Sequence, residues 1–169
     1  QQTIALLAMA LRELGVPARS FTGSQVHIHT DDAHTRARIA SIDTQRIRAA
    51  LDRGVVTFVA DNPDEIAKFA SYPQAQLLLR VAFRNPEAKC DLSRKFGCEP
   101  EEALALLDAA RAQGTAVIGL SFHVGSQVAS PAMHVLAVEA CAGLITAARA
   151  AGHALGTLDI GGGFPVEYH

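Results

Sequence analysis

The chain has 169 residues, 49% of them hydrophobic and 19% charged, with a formal net charge of −2. That length holds one compact domain or parts of two, and excludes two complete enzyme domains. No Lys/Arg cluster forms the basic face that nucleic-acid binding needs, and no apolar run reaches the roughly 18–20 residues that cross a bilayer, so neither nucleic acid nor membrane is an expected partner. Gln1-Gln2 opens directly into an amphipathic pattern, without a signal peptide. Cys90, Cys98 and Cys141 lack CxxC spacing and read as reduced thiols of a cytoplasmic protein, not as disulfides or metal ligands. The fifteen basic residues include only three lysines, Lys68, Lys89 and Lys95, so any lysine-amine chemistry has three candidates. The chain begins without Met and stops at His169, just beyond a Gly-rich turn, and both ends read as cut.

Thr3 to Leu14 carries Ile4, Leu7, Ala8, Leu11 and Leu14 at helical spacing, ended by Gly15-Val16-Pro17. Arg19 to Phe21 is a short strand candidate. Thr22-Gly23-Ser24 turns the chain into a strand over Gln25 to Thr30, with Val26 and Ile28 on one face and His27 and His29 on the other. A polar loop, Asp31 to His34, follows. Ile42-Asp43 leads into a helix from Thr44 to Asp52, stopped by Gly54. Val55 to Val59 predicts a buried strand. Asn62-Pro63-Asp64-Glu65 starts a helix reaching about Ser71, its acidic residues suiting the N-terminus. Leu77 to Val81 is the next strand, and Arg84 to Lys95 a charged loop. Glu99-Pro100-Glu101-Glu102 opens a helix to Gln113, then come a strand from Thr115 to Phe122, a helix from Pro131 to Ala151 and a strand from Leu155 to Ile160. Leu104, Leu107, Val135 and Leu144 are expected to face the core. Apolar strands alternating with helices imply parallel pairing, and four such strands make about half of an eight-stranded barrel.

Two strand ends carry the motifs that suggest chemistry. Leu158-Asp159-Ile160-Gly161-Gly162-Gly163-Phe164-Pro165 places three glycines where backbone N–H groups can approach an anion unshielded, as a phosphate requires. A tight turn that merely needs positive φ is the bland alternative. Ser121-Phe122-His123-Val124-Gly125-Ser126-Gln127 ends the preceding strand. Its His123 suits stacking on an aromatic cofactor or moving protons, and its Ser126 suits donation to a phosphate. Read alone it is a satisfied core histidine and an ordinary turn. Carboxyl ends of successive barrel strands line one rim, and the two motifs together favour a phosphate-bearing cofactor.

SFHVGSQ followed by LDIGGGFP, preceded by DNPDEIAKFASYPQAQLLLRV and LSRKFG, resembles the pyridoxal-phosphate-dependent decarboxylases of the ornithine decarboxylase group. Those enzymes have an alanine-racemase-like barrel followed by a β domain. The resemblance covers about Val55 to His169. Diaminopimelate decarboxylases share the layout but carry variants nearer HIGSQ and GGGLG, so Phe122 and Phe164-Pro165 tilt the substrate toward ornithine or another basic amino acid, such as lysine. The resemblance implies that His123 stacks on the pyridine ring as the catalytic residue. Ser126 and Gly161, Gly162 and Gly163 would hold the phosphate, with Arg80 near the cofactor and Arg84 to Lys95 a mobile loop beside it. The family's Schiff-base lysine sits in a YAVK-like context that is missing here, as are the acidic partner of the pyridine nitrogen and the β domain with its Cys-Asp segment. Little or no decarboxylation by this chain alone is the expectation.

The first stretch differs. ALLAMALRELGVPARSFTGSQVHIHTDDAHTRARI resembles the interior of aspartokinases, which have the amino-acid-kinase α/β fold, to about Arg53. By that resemblance Thr30, Asp31 and Arg36 would be remnants of a nucleotide site, but the KFGGT phosphate motif and the Gly/Ser-rich catalytic loop are missing, and no kinase activity is expected. His27, His29 and His34 read as surface histidines, and no metal site is expected. The fold class expected is therefore α/β: a partial (β/α) barrel of the pyridoxal-phosphate decarboxylase type over residues 54–169, preceded by a kinase-fold fragment over residues 1–53, with the junction between Arg48 and Thr57. The partner expected is a small-molecule amino acid, with a homodimer through exposed barrel edges as a possible assembly. The alternatives are a non-catalytic binding or regulatory homologue and a fusion fragment without function.

Overall fold

The computed structural model describes Met9, residues 11–15, Ile28–Thr30, Ile39–Ile42, 48–49, 51–86, Ala88 and 90–165. The chain divides into two compact units, Gln1–Val55 and Val56–His169.

In the first unit Met9 and residues 11–13 are helical. The helix closes where Gly15, at φ +76°, donates its N–H to the Arg12 carbonyl at 2.9 Å. β1 (Ile28–Thr30) pairs antiparallel with β2 (Ile39–Ile42), Ile28 opposite Ile42 and His29 opposite Ser41. The pattern of the sequence does not predict β2. Its apolar residues, Ile39, Ala40 and Ile42, lack period-two alternation, and the pairing itself slips between His29 and Thr30. Thr30 ends β1, whereas Asp31, Arg36 and the candidate strand Arg19–Phe21 lie outside the described residues.

The second unit runs β3 (Thr57–Ala60), α1 (Pro63–Lys68), β4 (Gln76–Val81), a 3-10 turn (Pro100–Glu102), α2 (Ala103–Ala112), β5 (Ala116–Phe122), α3 (Ala132–Ala150) and β6 (Thr157–Asp159). The strands form one parallel sheet in chain order, as the alternating pattern predicts. Right-handed crossovers between neighbouring parallel strands put the connecting helices on one face. That face carries Leu77, Leu79, Val81, Leu120 and Phe122, all at most 1% exposed. α1 starts at Pro63 because the Asn62 side chain accepts the Glu65 N–H at 2.9 Å and Pro63 occupies the first turn. It ends at Lys68, short of Ser71, where Phe69 turns its N–H to the Ile66 carbonyl and its ring toward Phe58, 5.1 Å away.

Three expectations need correction. β3 is not a buried strand: it lies at one end of the sheet, and Val59 is 49% exposed with only Ala60 buried. Val135 is also 53% exposed. The buried residues of α3 are His134, Ala137, Cys141 and Ala148, a stripe at the 3–4 residue spacing of a helix face. Finally, α3 is long and apolar enough to cross a membrane by length and composition. Counting contiguous apolar residues overlooks it, because His134 and Glu139 interrupt a helix that Val135, Leu136, Val138, Leu144 and Ile145 keep apolar on average. Here α3 is the crossover between β5 and β6, packed on β5 and α2.

Candidate cofactor site

The parallel register brings one row of polar side chains to the carboxyl ends of the strands. Arg80 on β4 stands opposite Ser121 on β5, and Ser121 opposite Asp159 on β6. Asp61 follows Ala60, whose partner is Leu79, and so ends the same row at β3. Alternation in each strand puts this row on the face opposite Leu79 and Leu120. The Ser121 hydroxyl donates to Asp159 Oδ2 at 3.1 Å, and the Arg80 guanidinium lies over the Phe96 ring, 5.1 Å from its centroid. Burial lowers the Arg80 pKa, while Asp61 and Asp159 counter the shift.

Pairing of β5 with β6 depends on Gly119, because a Cβ there would sit 2.0 Å from the Thr157 carbonyl oxygen. The two motif-bearing strand ends are thereby held side by side. Beyond β6 the chain turns through Gly161, at φ +67°, and Gly163, at φ +94°. A Cβ on Gly161 would meet the Phe122 carbonyl oxygen at 2.2 Å, and one on Gly163 would meet the Gly125 oxygen at 1.9 Å. Only glycine allows this turn to lie directly against residues 122–125. Asp159 Oδ1 accepts the Gly161 N–H at 2.9 Å, and the Gly163 carbonyl accepts the Val128 N–H at 2.8 Å. Neither the Gly162 nor the Gly163 N–H donates to a described partner, which leaves two adjacent donors for an anion.

His123 stands beside this turn. Its Nδ1 accepts the Gly125 N–H at 3.0 Å, so in the neutral ring the proton sits on Nε2. A Cβ on Gly162 would lie 3.6 Å from Nε2, which places the imidazole edge against the glycines. Burial lowers the His123 pKa, with the Arg80 and His134 charges acting the same way and Asp159 opposing them. Ser126 forms a bridge with Cys90, donating its N–H to the Cys90 carbonyl at 3.2 Å, so the loop after β4 lies beside the site. That loop is fixed at both ends. Asn85, fully buried, donates to the Val124 carbonyl at 2.9 Å, and Asp61 Oδ2 accepts the Gly97 N–H at 2.8 Å.

His123 and Gly161–Gly163 thus meet directly, Arg80 joins them through the Ser121–Asp159 row, and Ser126 flanks them. The sequence reading overlooks Asp61, Ser121, His134 and Asp159. Ser121 and Asp159 each stand two residues before a residue it singled out, His123 and Gly161, and that same-face spacing is a usable signal. Asp61 and His134 carry none, since only the fold brings them near. The residues fit the phosphate end of pyridoxal phosphate: a glycine cradle, two unused N–H donors and a nearby cation. Among the described residues no lysine anchor accompanies them. Lys68 closes α1 in an ion pair with Glu65, Lys95 is exposed on the loop, and Lys89 lies outside the described residues. The nucleotide-site expectation for Thr30, Asp31 and Arg36 adds no described side chain.

Comparison with known proteins gives the family. The pyridoxal-binding domain of the pyridoxal-dependent decarboxylases matches residues 27–169. A lysine/ornithine decarboxylase of Selenomonas ruminantium is 46% identical over 125 residues, covering 73% of this chain and 32% of that enzyme. The crystal structure of a lysine/ornithine decarboxylase from Vibrio vulnificus, complexed with cadaverine, superposes with a TM-score of 0.71 at 34% identity, over 96% of this chain and 43% of that one. An aspartate kinase of Pseudomonas fluorescens is 65% identical over a shorter stretch of 60 residues, 36% of this chain and 14% of the kinase. The chain thus spans about a third of the length of the curated decarboxylase that it matches at 46% identity. The family match, over residues 27–169, begins ahead of the junction expected between Arg48 and Thr57. With its parallel α/β sheet and its glycine turn beside His123, the chain belongs to the pyridoxal-dependent decarboxylases, whose cofactor is pyridoxal phosphate.

Proposed function

We propose that the second unit is the cofactor-phosphate half of a basic-amino-acid decarboxylase barrel, with ornithine or lysine as the substrate class. The observation that carries this reading is the glycine turn beside His123 at the carboxyl end of the sheet, where the Gly162 and Gly163 N–H groups have no partner among the described residues. The names of the Selenomonas and Vibrio relatives support the substrate class. Pyridoxal phosphate, when bound, supplies the electron sink for loss of carbon dioxide from an amino acid. Gly162 and Gly163 would hold its phosphate through their N–H groups, and the Ser126 hydroxyl would add a donor. The Arg80 charge would lie near, and the His123 ring would face the pyridine. Desolvation keeps His123 neutral, so that its π face and not a cation meets the ring.

By themselves these 169 residues bind the cofactor reversibly and release little or no carbon dioxide. A Schiff base needs a desolvated amine facing the cofactor; Lys68 is committed to Glu65 on a helix and Lys95 is exposed. Fluorescence titration with pyridoxal phosphate and with pyridoxal tests the reading. The phosphorylated form binds at least tenfold more tightly, and equal affinity for the two would reject the phosphate cup.

A second reading covers residues 1–53 as an aspartokinase-like fragment joined to residues 54–169, supported by GVPARS, TGSQ and the 65% identity to the Pseudomonas kinase. Thr30, Asp31 and Arg36 are then nucleotide-site remnants without the motifs that position phosphates, and ATP is not hydrolysed above a blank. A homodimer through β3 or β6, the two end strands of the sheet, fits a non-catalytic binding role. Analytical ultracentrifugation tests it, and a monomer at all concentrations would reject it.

A further inference from the structure

His134 lies in the first turn of α3, a buried imidazole on a helix face whose other buried residues are Ala137, Cys141 and Ala148. Its Nε2 stands 3.2 Å from the Gly162 carbonyl oxygen. A carbonyl oxygen only accepts, so Nε2 carries the hydrogen and donates. The imidazole also stacks on Phe164, centroids 4.5 Å apart with 15° between the planes. One side chain of α3 therefore engages the glycine turn twice, at its central glycine and at the residue that closes it.

The peptide joining Gly162 and Gly163 is trans, and in a trans peptide the C=O and the N–H point in opposite directions. We propose that His134 is a positioning residue for the anion cup: by holding the Gly162 carbonyl on the α3 side, it aims the Gly163 N–H away from α3, where a phosphate can accept it. The Phe164 stack limits the ring to the orientation in which Nε2 reaches the carbonyl. Glycines at positive φ have many alternative conformations, and without this hold the turn would populate several of them. Only the ligand half of this proposal rests on the phosphate reading above.

Two measurements separate the halves. In the ligand-free protein, amide hydrogen exchange at Gly161 and Val128, whose N–H groups are donated to Asp159 and to the Gly163 carbonyl, rises at least fivefold in His134→Ala, while exchange in β4 and β5 is unchanged. Phe164 is 54% exposed, so Phe164→Ala leaves the core intact; it raises exchange at the same two amides by a smaller factor. His134→Gln, which retains a donor, restores part of the protection. Unchanged exchange at Gly161 and Val128 in both alanine variants overturns the proposal, whatever the protein binds. In the second measurement, His134→Ala weakens pyridoxal phosphate binding about tenfold and leaves pyridoxal binding within twofold. Equal weakening of both ligands shows a structural role only and also overturns the proposal. If the unsubstituted chain prefers neither ligand while the exchange effects appear, the cofactor reading fails and the positioning role stands.

Discussion

Ser121 on β5 donates its hydroxyl to Asp159 Oδ2 on β6 at 3.1 Å, and the other oxygen of that carboxylate accepts the Gly161 N–H at 2.9 Å. A single side chain therefore links strand register to the start of the glycine turn. Asp159→Ala removes both bonds. Since Asp159 is exposed, the expected cost is about 1 kcal/mol, the ordinary net worth of such bonds. Urea denaturation reads that loss, and pyridoxal phosphate affinity falls with it, because the turn loses its first restraint. Full stability together with full affinity would show that the carboxylate is dispensable.

Glycine is required at position 119 by space and at position 163 by both space and φ. Gly119→Ala drives a methyl into the Thr157 carbonyl and destabilises the sheet by about 1–3 kcal/mol or more, the usual cost of overpacking. Gly163→Ala meets the Gly125 oxygen and also takes a φ of +94° that alanine avoids. The first substitution lowers the urea midpoint. The second abolishes selectivity for the phosphorylated ligand.

The pH dependence of His123 has a definite sign. Its folded pKa lies below the ordinary 6.5, because burial disfavours the imidazolium and Arg80 repels it. The unfolded chain then binds more protons as pH falls through 6.5 toward the folded value. The contribution is full above pH 6.5 and is lost as pH falls through the lowered folded pKa. NMR titration of the His123 ring shows a midpoint below 6.5, and His123→Phe flattens the stability profile in that window. A midpoint at or above 6.5 would contradict the environment described for the ring.

Thiol labelling tests the core. Burial pushes Cys98 up to about 12 and Cys141 up to about 11, and the thiolate is the reactive form. Cys90 is exposed. At pH 8 the native protein reacts quickly at Cys90 alone, and urea releases the other two. Rapid native labelling at Cys141 would mean that α3 does not pack on the sheet as described.

How much of this was legible in the sequence depends on the residue. Strand–helix alternation after Gly54 predicts the parallel sheet, since four apolar runs separated by helices have few other solutions. The glycines and His123 are visible because their motif chemistry is local. β2 is not, because its pairing slips and its apolar residues fall at helical spacing. His134 escapes for another reason: a lone histidine in an apolar helix carries no signal until the fold sets α3 against the glycine turn. The exposure of Val59 and Val135 likewise follows from position, at a sheet end and on the outer face of a helix, which composition does not encode.

We propose a cofactor-phosphate cup in which no lysine among the described residues anchors the cofactor covalently. Borohydride reduction of the protein saturated with pyridoxal phosphate, followed by peptide mass mapping, tests it most directly. The expected result is saturable, phosphate-dependent binding that disappears on dialysis and leaves no lysine stoichiometrically modified. One-to-one modification at Lys68, Lys89 or Lys95 would contradict it.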